Sequence, residues 1–377
     1  MQKRTPGRAI AASLILLASA CSDGGAVPSD GTDAFVEYLD ATAPDLLAEH
    51  HVPGMTVALV EGGRVSWTGA YGVQDAGTSE PMRPDVLLQV ASVSKSITAY
   101  AVMRLAQDGL LDLDAPIGSY LSRWQLPEST HDTDGVTARR ILNHTAGLST
   151  EGYPGIGPDD RLPTLEGSLG GATGAEPVTL VQAPGTGHRY SGGGYTVMQL
   201  AVEEITGRSF ADHVADVAFT PLGMAASTYH QAPTNAASPH GPAGDAVEGR
   251  RFVELAAAGL WSTAPDLARF VAAGILNPDP ATGLDPDRVT ELLAPAPATD
   301  GAYALGFFVE QRGTAPVVIG HAGANLGWRS KILAIPELDA AIVILMNGDG
   351  GEAIHVTLGC AWIAATARLT TVEAACP

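Results

Sequence analysis

Strand-like segments sit at the two ends of this 377-residue chain, with a long stretch rich in helix, glycine and proline between them. Near the start, residues 55–60 are a run of apolar and β-branched side chains, and Glu61-Gly62-Gly63 marks a turn. Residues 64–71 then resume extended chain with Val65, Trp67 and Ala70, so the two runs read as a hairpin. Near the end, residues 303–309, 315–319, 331–335 and 340–346 have strand character, and residues 352–368 read as a helix. The middle holds helical segments at 136–144, 195–206, 210–219 and 264–273, separated by loops of a length usually found at functional rims. Strands from the two ends must therefore pair across the insertion. The pattern predicts an α/β (α+β) fold: one antiparallel sheet from residues 34–115 and 300–370, flanked by helices, with a mostly helical lobe inserted at 116–299.

Residues 1–20 place Lys3, Arg4 and Arg8 before an apolar run at 9–17 and the small residues Ala18, Ser19 and Ala20, the order of a secretory signal. The run is too short to cross a bilayer as a helix. Leu17-Ala18-Ser19-Ala20-Cys21 resembles a bacterial lipobox with its large residue one place early, which makes Cys21 a lipidation site; ordinary cleavage leaving a free cysteine is the alternative. Either route predicts an exported protein, periplasmic or anchored to the membrane through lipid on Cys21, with residues 21–33 as a flexible tether. In an oxidising compartment Cys360 and Cys376 could pair. No HExxH or CxxC spacing occurs, so no metal is expected. With 41 acidic against 21 basic residues, a net charge of −20 and no basic cluster, nucleic acid is excluded as a partner.

The sharpest chemical signal is Ser92-Val93-Ser94-Lys95 at the start of a helix expected at 92–107, which ends at Asp108-Gly109. Residues three apart share a helical face, so the Lys95 amine can reach the Ser92 hydroxyl, and the helix N-terminus favours the charge that develops on a reacting serine. The chain has only three lysines, one of them in the signal, so a lysine here answers a need for a titratable amine that arginine cannot meet. A second cluster, Pro184 through Tyr195, is a glycine-rich loop in which Tyr190 could carry a proton. A third, Gly320-His321-Ala322-Gly323-Ala324, follows a strand expected to stop at Ile319. There Gly323 would allow a ligand to pass closely, and the Ala324 amide would be an oxyanion donor.

Together and in this order, these motifs resemble those of the serine β-lactamase-like family, which includes class C β-lactamases, D-alanyl-D-alanine carboxypeptidases, D-aminopeptidases and related esterases. The resemblance runs from about residue 35 to 365. It extends to Ile141-Leu142-Asn143-His144-Thr145-Ala146-Gly147-Leu148, to Pro221-Leu222-Gly223-Met224, and to Ala258 through Thr263 followed by Asp266-Leu267-Ala268. It implies a β-lactamase/transpeptidase-like fold, with Ser92 as nucleophile, Lys95 as its partner and Tyr190 as proton shuttle. His321 and Gly323 fall in the substrate-binding strand, and the N–H groups of Ser92 and Ala324 form the oxyanion hole. It also implies an acyl-enzyme, a small-molecule or short-peptide substrate, and no cofactor. Two positions depart from the pattern. Gly192 replaces the asparagine of Tyr-x-Asn, and His321 replaces the lysine of Lys-Thr-Gly, which removes an amide and a fixed positive charge. Both changes favour an esterase or a modified peptidase over a β-lactamase. A module that binds penicillin or senses peptidoglycan, acylating slowly or without turnover, is the competing reading. A nucleophile elbow is not: Gly207-Arg208-Ser209-Phe210-Ala211 lacks its last glycine, and Ser209 reads as a helix cap.

Overall fold

The computed structural model describes residues 31–311 and 315–369. Gly62 and Gly63 both adopt positive φ, 56° and 67°, the backbone that a two-residue hairpin turn requires, and join strand β1 (Gly54–Glu61) to β2 (Arg64–Asp75). Short strands β3 (Glu80–Pro81), β4 (Leu88–Gln89) and β5 (Trp261–Ser262) follow, then β6 (Phe308–Glu310), β7 (Val318–Asn325), β8 (Trp328–Ile335) and β9 (Ala340–Met346). Seven of them form one antiparallel sheet in the order β3-β2-β1-β9-β8-β7-β6, so β1 and β9, from opposite chain ends, lie side by side at its centre. The expected sheet from two ends is the sheet observed.

Alternation along the central strands sorts their side chains between two cores. Ile342, Ile344 and Met346 of β9 face helices α1 (Thr32–Glu49) and α10 (Gly351–Thr366), packing with Phe35, Leu39, Leu47, Leu358 and Trp362. Ala341, Val343 and Leu345 face the other core, with helix α2 (Ser94–Gln107) and the inserted lobe. The lobe carries α3 (Ala138–Leu142), α4 (Leu165–Leu169), α5 (Gly192–Thr206), α6 (Phe210–Val214), α7 (Leu255–Ala258), α8 (Ala264–Arg269) and α9 (Pro286–Leu293). Helix α2 is buried on almost every face between sheet and lobe, and Asp108-Gly109, with Gly109 at φ 72°, ends it. Ser209 caps α6, its Oγ accepting from Asp212 N at 3.1 Å.

Three local readings change. Strand β7 does not stop at Ile319 but runs through the Gly320-His321-Ala322-Gly323-Ala324 motif to Asn325. Its glycines mark close approach, not an end: a Cβ on Gly320 would lie 2.2 Å from the Ile332 carbonyl oxygen of β8. Residues 303–307 are a turn, not strand, with Tyr303 bridging to Phe308. Helix α1 begins at Thr32, inside the stretch read as tether. Cys360 is buried on α10, whereas Cys21, Cys376 and the whole signal segment lie outside the described residues. Among the described residues no helix is long and apolar enough to cross a membrane, and no group of three or more His, Cys, Asp or Glu residues could hold a metal ion.

Candidate active site

Ser92 does not open the α2 helix; it sits in a turn of 3₁₀ helix, Ala91–Val93, immediately before it. Ala91 takes the left-handed conformation at φ 47°, which is costly for a residue with a side chain and persists only where the surroundings hold it. They do: Val90 N donates to Leu260 O at 3.0 Å, and Ser330 Oγ donates to Val90 O at 2.7 Å. The strand carrying the third motif packs directly on this turn. A Cβ on Gly323 would lie 2.3 Å from Val90 O and 3.0 Å from Ser92 N. The room expected for a ligand at Gly323 is therefore filled by the serine turn itself. Strand β6 covers only Val318 to Gly320 of β7, so the stretch with Ala324 forms a sheet edge beside Ser92.

Lys95 Nζ lies 3.1 Å from Ser92 Oγ and 2.8 Å from Ala257 O. It is 2 % exposed, and burial lowers its pKa to about 7. As a neutral amine it donates to the Ala257 carbonyl and keeps a lone pair for the serine hydroxyl. No local sequence pattern signals the clamp that holds this arrangement. Helix α7 has only four residues, and the carbonyls of its last three are each taken by a side chain: Ala256 O by Thr98 Oγ1 (2.9 Å), Ala257 O by Lys95, and Ala258 O by Asn325 Nδ2 (3.2 Å). Asn325 also donates to Gln89 Oε1 at 2.8 Å. Gln199 of α5 grips the other end, accepting from Ala256 N at 3.1 Å and donating to Val253 O at 3.0 Å.

Burial raises the pKa of the Tyr190 phenol above its ordinary value, and the nearby Ser92 hydroxyl offsets part of that rise. Lys95 Nζ stands 5.0 Å over its ring. His144 lies against the same ring with centroids 4.2 Å apart; its Nδ1 accepts from Ser191 N at 3.1 Å, and burial keeps the imidazole neutral. Ser191 caps α5, its Oγ accepting from Gly194 N at 2.9 Å and donating to Ser149 O at 2.6 Å. His144 thus positions the tyrosine turn.

His321 is 1 % exposed. Its Nδ1 donates to Ala322 O at 2.7 Å; a carbonyl only accepts, so Nε2 is the bare nitrogen and accepts from Tyr303 OH at 2.9 Å. Burial pushes its pKa down to about 3, with the nearby Lys95 a further cause. The expectation of a mostly neutral imidazole agrees with this, but its placement as a substrate contact needs correction. Both nitrogens are committed inside the protein. Tyr303, which takes the second, had no sequence signature.

An antiparallel sheet with an inserted helical lobe, and a half-buried serine bonded to a buried lysine where they meet, defines a β-lactamase/transpeptidase-like fold. The Beta-lactamase family model matches residues 39–359, and the chain belongs to that family. Protein flp of Staphylococcus aureus (strain MW2) is 25% identical over 322 residues, covering 82% of this chain and 63% of that protein, so the chain spans just under two thirds of that relative's length. Esterase EstB of Burkholderia gladioli is 32% identical over 194 residues, 49% of each chain. Among solved structures, the octameric penicillin-binding protein homologue from Pyrococcus abyssi superposes with a TM-score of 0.72 at 23% identity, covering 86% of this chain and 77% of that one.

Proposed function

We propose that the protein is an exported serine hydrolase that forms an acyl-enzyme at Ser92 and acts on an ester or a D-amino-acid peptide more readily than on a β-lactam. The observation that carries this reading is the buried Lys95 amine, bonded to Ser92 Oγ and Ala257 O, with a pKa near 7. Lys95 takes the Ser92 proton as Oγ bonds to the substrate carbonyl carbon, and the oxyanion is met by the N–H groups of Ser92 and Ala324. When the bond to the leaving group breaks, the proton reaches that group through Tyr190. Water, activated by the same groups, then releases the acyl chain and restores Ser92. No cofactor enters the cycle.

An ester departs more easily than an amide and asks less of the side chain missing at Gly192. The neutral, engaged His321 offers no charge to the carboxylate of a penicillin. The likeness to an esterase over half the chain supports the same preference. Purified protein assayed side by side should show a higher kcat/KM for a short-chain ester than for a chromogenic cephalosporin. A preference for the cephalosporin overturns this substrate assignment. Gly192 also favours a second reading, a penicillin-binding or peptidoglycan-sensing module that acylates and stalls; a stoichiometric burst without steady turnover on every substrate would establish it. Export and anchoring are part of the proposal: the native N-terminus should be a lipidated Cys21, and an unmodified terminus elsewhere in its mass spectrum removes the anchor.

A further inference from the structure

The turn at residues 303–307 is fastened beside the serine–lysine pair from several sides. Gly306 N donates to Leu142 O of α3 at 3.0 Å, and Gly306 O accepts from Ser96 Oγ of α2, one residue past Lys95, at 2.7 Å. Gly306 has φ 77°, and a Cβ there would lie 2.7 Å from the Ala99 side chain, so only glycine lets the turn sit this close to α2. Behind it, Tyr303 N donates to Thr299 Oγ1 at 3.0 Å, and Tyr303 O accepts from Ala296 N at 2.8 Å. The Tyr303 ring is buried against His144 and His188, with centroids 4.9 and 5.6 Å apart. The phenol is thus placed by three segments of the chain.

Among the described residues its hydroxyl has one hydrogen-bond partner, His321 Nε2 at 2.9 Å. Nδ1 of the same ring donates to Ala322 O, so Nε2 is bare and the hydroxyl donates to it. Phe308 stacks on the imidazole at 4.9 Å and fixes its plane. A proton on Nε2 would turn the phenol O–H away into a buried place where no other acceptor meets it among the described residues, and a buried donor left without a partner is costly. The other groups facing the ring act in the same direction or are uncharged. Lys95 of α2 and Lys331 of β8 oppose a charge on it, while Tyr190 and His144 of the lobe are a protonated phenol and a neutral imidazole. Replacing the lysine of Lys-Thr-Gly by histidine does not by itself remove the cation, because an imidazole with a free Nε2 can share a proton with a carboxylate. Here Tyr303 occupies that nitrogen. We infer that Tyr303 is a specificity-determining residue: its hydroxyl locks His321 as an uncharged, inward-bonded side chain, so that β7 presents no cation and carboxylate-bearing substrates are disfavoured. The inference deepens the proposed substrate preference and rests on the reading of Ser92 as nucleophile.

Two p-nitrophenyl esters of equal chain length, ending in a methyl or a carboxylate group, test this at pH 6 and pH 8. Wild type should favour the neutral ester at both. Tyr303→Phe keeps the ring but removes the hydroxyl, which leaves Nε2 to share a proton with the substrate carboxylate. The ratio of carboxylate to neutral ester by kcat/KM should then rise about threefold to tenfold at pH 6, through a lower KM for the carboxylate ester, and rise less at pH 8. The double variant Tyr303→Phe/His321→Gln should lose that gain. A wild type that prefers the carboxylate ester, an unchanged ratio in Tyr303→Phe, an equal fall for both esters, or a gain that survives the loss of His321 overturns the inference. A second measurement needs no variant. In the ¹⁵N imidazole spectrum of the wild type, His321, identified by its contacts with the Tyr303 and Phe308 rings, should be a single Nδ1–H tautomer that does not titrate between pH 5 and 8. An Nε2–H tautomer, or titration in that range, overturns the inference as well. Turnover with an unchanged ratio removes only the role of Tyr303, whereas no turnover of either ester and no labelling of Ser92 removes the underlying reading too.

Discussion

Lys95 is charged in an unfolded chain near neutral pH but sits in the native protein with its pKa lowered by burial to about 7. The unfolded state therefore binds more protons between pH 7 and the ordinary lysine range near 10.5, so this residue makes stability rise with pH across that window. Below pH 7 the native chain must bury a charged ammonium, and the full penalty is present. Lys95→Met should accordingly stabilise the protein by roughly 1–3 kcal/mol at pH 6, with the advantage shrinking as pH climbs from 7 toward 10, while abolishing turnover. Thermal unfolding of both proteins across that range checks it; a destabilised variant at pH 6 would mean that the contacts of Nζ outweigh its burial. The Ser-x-x-Lys spacing and the scarcity of lysine made this residue visible in the sequence. Its partner was invisible, because the Ala257 carbonyl belongs to a backbone that any side chain could carry.

At the scale of elements, the outer plan was legible because alternation and β-branched runs mark strands wherever their partners lie, and two such groups at opposite ends could only meet across the insertion. Three features were not. Gly320 and Gly323 read as the end of a strand, yet β7 continues through them because β8 and the serine turn approach too closely for a Cβ. The α7 clamp depends on side chains from α2, α5 and β7 meeting one four-residue helix, a convergence no local pattern records. The Ala91 turn is strained, so propensity assigns its residues to the helix that follows. Asn325 links β7 to that clamp through Ala258 O. Asn325→Ala leaves this carbonyl without its side-chain partner; it should cost about 1 kcal/mol in stability and lower kcat by roughly threefold to tenfold, with KM nearly unchanged. Equal losses in kcat and 1/KM would mean that Asn325 contacts substrate instead of positioning the base.

For the molecule as a whole, the sheet and the lobe bring the Ser92–Lys95 segment and the Tyr190 phenol to one junction, with β7 closing the far side. On the proposed reading, the protonation state of Lys95 governs the reactivity of Ser92 whatever the substrate. The rate at which a fluorophosphonate probe labels the protein, followed by mapping of the adduct across pH 5 to 9, tests this directly. The account predicts a single adduct on Ser92, absent in Ser92→Ala. Its rate should rise about tenfold per pH unit below 7 and level off above, as Lys95 loses its proton. An adduct on another serine, undiminished labelling of Ser92→Ala, or a rate that does not change across pH 7 would contradict it.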